Sequence, residues 1–81
     1  MTVRLRLFAQ ARDAAGRAED TFDAADLGAL LDQARARYGS EFTAVLVRAR
    51  VWLNGDEPGD GDATTLHDGD EVAVLPPVSG G

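Results

Sequence analysis

The residues with chemical potential are few, and the most suggestive stand at the end of the chain. Gly80 and Gly81 close the 81-residue sequence, preceded by Pro76, Pro77, Val78 and Ser79. Glycine has no Cβ, so such a segment can thread a narrow channel and present a carboxylate to a nucleotide. A carboxylate is inert until activated; as an acyl adenylate it can lose AMP to a sulfur nucleophile. The bland alternative is a frayed terminus, since this chain carries nine glycines. The other candidates fare worse. His67 is the sole histidine and sits in a turn beside Asp68, with no matching nucleophile near it. Ser40 and Ser79 are the only serines, and neither occupies a nucleophile elbow, which excludes a hydrolase triad. Asp60, Asp62, Thr64 and Glu71 fall at the first, third, fifth and twelfth positions of a calcium loop. Thr65, however, replaces the glycine that loop needs, and the flanks read as loop and strand. No metal site is expected, and the segment reads as a solvated hairpin loop.

These residues must be held by few elements. Residues 2–9 alternate, with Val3, Leu5 and Leu7 on one side and Arg4, Arg6 and Phe8 on the other, predicting a strand with one buried face. Residues 10–15 read as a short helical turn closed by Gly16, and 18–23 as a weaker strand running back. Leu27, Leu30, Leu31, Ala34 and Tyr38 share one face of a helix over 26–38, capped by Asp26 and stopped by Gly39. Residues 41–49 are ambiguous, a second short helix or a loop burying Phe42, Val45 and Leu46. A strand from Arg50 ends at Asn54-Gly55, a strong turn dipeptide. Residues 71–75 form the last strand, ended by the two prolines. Strand, strand, helix, strand, strand implies an α+β fold. It is a β-grasp, ubiquitin-like, with a mixed sheet, one main helix across one face and the outer strands of the sequence paired centrally. The expected organisation is a domain over 1–75 and a flexible tail over 76–81.

Composition narrows the classes of function. There is no cysteine, which excludes a disulfide scaffold, an iron–sulfur cluster and a thiolate zinc site. Eight arginines face fourteen acids with no lysine, giving a net charge of −6. That balance opposes nucleic acid as a partner and suits steering toward a basic protein surface. No apolar run exceeds four residues, so no membrane span is expected and the cytoplasm is the default compartment.

The context of the glycine pair adds a resemblance. Leu66-x-Asp68-Gly69-Asp70-Glu71-Val72-Ala73, followed by Pro76-Pro77-Val78-Ser79-Gly80-Gly81, resembles the closing signature of the MoaD family. These are small subunits of molybdopterin synthase within the wider MoaD/ThiS sulfur carriers. Leu7-Phe8-Ala9-Gln10-Ala11-Arg12 to Gly16 is similar to the family's first strand and helical turn. The resemblance implies that an E1-like adenylyltransferase activates Gly81 with ATP and that a sulfur donor converts it to a thiocarboxylate. Gly80, Ser79, Val78, Pro77 and Pro76 would thread the large synthase subunit, where the sulfur passes to cyclic pyranopterin monophosphate. No cofactor would be bound by the chain itself, and the catalytic pocket would lie in the large subunit. The implied strand order places Trp52, Leu75 and Phe8 on one outward face as an apolar stripe for that partner. In one place the chain departs from the family: residues 55–62 are acidic and glycine-rich where apolar residues are usual.

Three other readings stay open on the residues. The chain could serve thiamine or cysteine synthesis, act as a ubiquitin-like protein modifier through Gly81, or be a plain β-grasp interaction module.

Overall fold

The alternation in the first strand is realised residue for residue. In a computed structural model, which describes residues 2–77, Thr2–Leu7 forms β1, burying Val3, Leu5 and Leu7 and exposing Thr2, Arg4 and Arg6. Ala9–Ala15 follows as α1, closed by Gly16 at φ +77°, the left-handed geometry that glycine adopts without strain. Glu19–Asp23 returns as β2, antiparallel to β1. Leu27–Tyr38 is α2, and the Asp26 side chain accepts the Ala29 N–H at 2.8 Å, capping its start. Arg50–Leu53 is β3 and Glu71–Leu75 is β4.

The ambiguous segment resolves as helix. Ser40–Arg48 forms α3, which buries Phe42 and Leu46 and packs on α1 and α2, so three helices accompany the sheet. The sheet order is β2-β1-β4-β3, with β1 and β4 parallel at its centre and both outer pairings antiparallel. This is the ubiquitin-like β-grasp arrangement. Its core joins the inner sheet face to Leu27, Leu30, Leu31, Ala34, Phe42 and Leu46.

The long connection after β3 is more ordered than its composition suggests. Asn54 (φ +51°) and Gly55 (φ +86°) form a two-residue hairpin turn, with Leu53 and Asp56 exchanging both backbone hydrogen bonds. A single 3₁₀ turn over Gly61–Ala63 then packs against the start of α2. A Cβ on Gly28 would lie 3.2 Å from both the Cβ and the carbonyl oxygen of Asp62, which explains a glycine inside this helix. Leu66 is buried, and its N–H donates to the Ala25 carbonyl at 2.9 Å.

Candidate functional site

The closing motif works by positioning the last strand. Asp68 Oδ1 accepts the Thr2 N–H at 2.8 Å, and the Gly69 N–H donates to the Thr2 carbonyl at 2.9 Å. Asp70 accepts from Asn54 Nδ2 at 3.0 Å and from the His67 N–H at 2.8 Å, and these donors hold its carboxyl below the usual range. Asn54 Oδ1 in turn accepts the Glu71 N–H at 2.9 Å. The turn over 66–70 is thereby tied to the beginning of β1 and to the β3 hairpin. That tie sets the register Arg4↔Glu71 through Leu7↔Val74 and fixes where β4 ends. His67 is exposed and contributes its backbone to this arrangement, with its Nδ1 3.8 Å from Asp70.

At the far end of β4 the chain leaves the sheet beside an open groove. Pro76 is buried, while Pro77 is exposed. Arg48, Arg50, Trp52, Leu75, Pro76 and Pro77 line a concavity of about 480 Å³. Trp52 pairs with Ala73, and Arg50 with Leu75, which places all four on the outer face. Val51 and Leu53 pack against the core instead. Trp52 and Leu75 are both half-buried.

Phe8 is not among the residues that line this groove. It stands past the end of β1 as the extended residue before α1, 37% exposed, with its N–H donating to the Val74 carbonyl at 3.3 Å. The Arg6 guanidinium sits 5.5 Å from its ring centroid. Of the expected stripe, Trp52 and Leu75 line the groove, while Phe8 is exposed beside the end of β4 with Arg6 over its ring. The groove's arginines were missed by sequence reasoning, although the pairing of Arg50 with Leu75 follows once strand order is known. Val78, Ser79, Gly80 and Gly81 lie outside the described residues.

Charge is divided along the chain. Residues 1–50 carry all eight arginines and seven acids, and residues 51–81 carry seven acids and no cation. Arg48 has no acidic partner among the described residues, and Arg50 meets only Glu57, at 3.7 Å. Among the described residues no group of three His, Cys, Asp or Glu side chains is placed to hold a metal ion. In the former calcium-loop segment Thr64 Oγ1 accepts the Asp60 N–H, while Glu71 faces Arg4 and Arg6.

Residues 5–81 match the model of the ThiS family. The chain belongs to the ThiS family. It is 38% identical to a molybdopterin synthase sulfur carrier subunit of Chlamydomonas reinhardtii, the match spanning 100% of both chains. SAMP1 of Haloferax volcanii, a small archaeal modifier protein, superimposes with a TM-score of 0.87 at 26% identity over 100% of both chains. The third likeness is to a complex of subunits 1 and 2 of the molybdopterin-converting factor of Helicobacter pylori. There the TM-score is 0.70 at 31% identity, again over 100% of both chains. As a ThiS-family member the chain is a ubiquitin-like sulfur carrier of the MoaD/ThiS type. Among the described residues no helix is long and apolar enough to cross a membrane.

Proposed function

We propose that this carrier is the small subunit of molybdopterin synthase, and that Gly81 is its reacting residue. The observation that carries the reading is the exit of the chain. A central strand, held in register from its start, delivers Pro76 and Pro77 to a groove lined by Trp52 and Leu75. Four residues then separate Pro77 from the carboxylate of Gly81. In the proposed cycle an E1-like adenylyltransferase joins that carboxylate to AMP from ATP, releasing pyrophosphate. A sulfur donor then displaces AMP, leaving the thiocarboxylate. Val78, Ser79 and Gly80 pass with Gly81 into the large subunit, which supplies the catalytic pocket where sulfur moves to cyclic pyranopterin monophosphate. The chain supplies positioning and the acyl group, and the half-buried Trp52–Leu75 groove supplies apolar contact at the mouth.

Likeness at 38% to a molybdopterin synthase sulfur carrier subunit supports this branch. Intact mass after incubation with an E1-like enzyme, ATP and a sulfur source tests it: a gain of about 16 Da marks oxygen replaced by sulfur. Sulfur delivery to the pterin by the large subunit must follow. A stable thiocarboxylate with no pterin product would move the chain to the thiamine or cysteine branch. The likeness to SAMP1 favours one second reading, conjugation of Gly81 to amines of other proteins. Isopeptide adducts ending in Gly-Gly would mark it.

A further inference from the structure

An activated Gly81 is an electrophile tethered to its own protein, so every amine or thiol within reach of it is a hazard. Gly81 lies four residues beyond Pro77, which bounds its carbonyl carbon to within about 14 Å of that residue at full extension. The side chains lining the groove beside Pro77 are the nearest candidates, and the two cationic ones are Arg48 and Arg50. A lysine at either place would hold an amine at the millimolar effective concentration typical of short tethers. Arginine holds the same charge but stays protonated at any physiological pH and offers no free electron pair for acyl attack.

The rest of the chain follows the same rule. It contains no lysine and no cysteine. Parallel pairing of β1 with β4 places Thr2 beside the turn that starts β4, at the opposite end of the strand from Pro76. Thr2 and His67, the latter in that same turn, are therefore separated from the tail exit by the length of β4. The Tyr38 phenol donates to Asp20 at 2.6 Å and is engaged in that bond.

Resting on the reading of Gly81 as the activated residue, we propose that the tail exit is a cationic mouth lined without any side-chain amine or thiol. Arg48 and Arg50 supply positive charge there without an acceptor for the chain's own acyl group. The reaction they avoid is simple: an ε-amine adds to the Gly81 carbonyl, a C–N bond forms, and the leaving group departs as the amine loses its proton. Both side chains are exposed, and the ion pair of Arg50 with Glu57 is loose, so replacement by lysine keeps the charge and should leave the fold intact.

The test needs no partner enzyme. The full chain is prepared with a C-terminal thioester of a small thiol, and its decay is followed by intact mass at mildly alkaline pH beside the thioester of the peptide Pro-Pro-Val-Ser-Gly-Gly. The folded chain and the peptide should hydrolyse at the same rate within about twofold, as expected where no internal base or amine assists. Arg48→Lys and Arg50→Lys should decay at least about fivefold faster, yielding a lactam about 18 Da lighter than the hydrolysed acid. Ala63→Lys, in the 3₁₀ turn packed on the start of α2, should decay like the unaltered chain. Lactam in the unaltered chain, or lysine variants as long-lived as their parent, would overturn the proposal. Because the thioester is synthetic, neither result depends on which sulfur pathway the carrier serves.

Discussion

The two faces of the sheet obey different rules. On the inner face Val3, Leu5, Val72 and Val74 are wholly buried, and α2 and α3 cover them with Leu27, Leu30 and Phe42. On the outer face the same two strands and β3 present Arg4, Arg6, Trp52, Glu71, Ala73 and Leu75, half-buried or exposed. The Arg4 and Arg6 pairs with Glu71 are loose, at 3.7 Å each. Exposed pairs of that kind contribute little to stability. The lesson is a division of labour within single strands: odd-numbered residues of β1 hold the fold together, and even-numbered ones are available to a partner.

The largest expected effect tests the inner face. Phe42→Ala empties a fully buried site touching Tyr38 edge-on at 5.0 Å, and should cost about 3–5 kcal/mol in denaturant unfolding. Leu5→Ala belongs to the same class, at about 2–5 kcal/mol. Losses below 1 kcal/mol or so in either would mean that the inner face is not the core.

The second effect concerns the polar tie between β2 and α2. Burial pushes the Asp20 carboxyl up, but Tyr38 Oη, the Arg37 guanidinium and the Thr21 N–H donate to it and hold it down to about 2. A pKa lowered on folding adds stability above the unfolded value of 3.8, and that stability is lost as pH falls toward 2. The contribution is at most about 2 kcal/mol. Asp20→Asn should remove it at neutral pH and flatten the acid limb of the unfolding curve; an unchanged limb would assign the acid transition elsewhere.

The smallest effects on stability belong to the outer face, where the effects on binding should be large. Leu75→Asp and Phe8→Asp should shift unfolding by less than about 0.5–1 kcal/mol. Replacing an apolar contact by a charge that must be desolvated should nonetheless weaken capture by the proposed large subunit at least about tenfold, measured by titration. Unfolding of either variant would show that this face is structural. Trp52 reports without mutation: its emission should be accessible to quencher in the free protein, then blue-shifted and shielded in the complex. Protection already present in the free chain would shrink the interface to the tail exit.

Much of this division was legible in the amino-acid order because β1 and α2 are strongly patterned. Val3, Leu5 and Leu7 alternate, Leu27 to Tyr38 recur at helical spacing, and Asp26, Gly16 and Asn54-Gly55 mark ends by local chemistry. The less legible parts depend on contacts distant in sequence. The nine residues of α3 carry too few turns for a decisive period, and packing on α1 and α2 decides their state. Leu66 stands alone among polar neighbours, and only its place beneath Ala25 shows that it is core. At the exit groove the strand pairing had to be known before Arg50 could be set beside Leu75. Phe8 shows the converse. Its place in the β1 alternation could be read from the sequence, but the start of α1 directly after it and the Arg6 guanidinium over its ring could not.

The parallel pairing at the centre of the sheet also determines how the domain bears force. A partner that grips the residues beyond Pro77 and pulls applies tension along β4. That strand is bonded on one side to β1 and on the other to β3. Both ladders lie across the direction of pull, so their hydrogen bonds are loaded together in shear. A strand at the edge of the sheet, peeled from one end, would release its bonds in succession. Tension on the exit therefore meets the most cooperative part of the molecule, and the body can be drawn against a partner or withdrawn from it without unravelling from its working end.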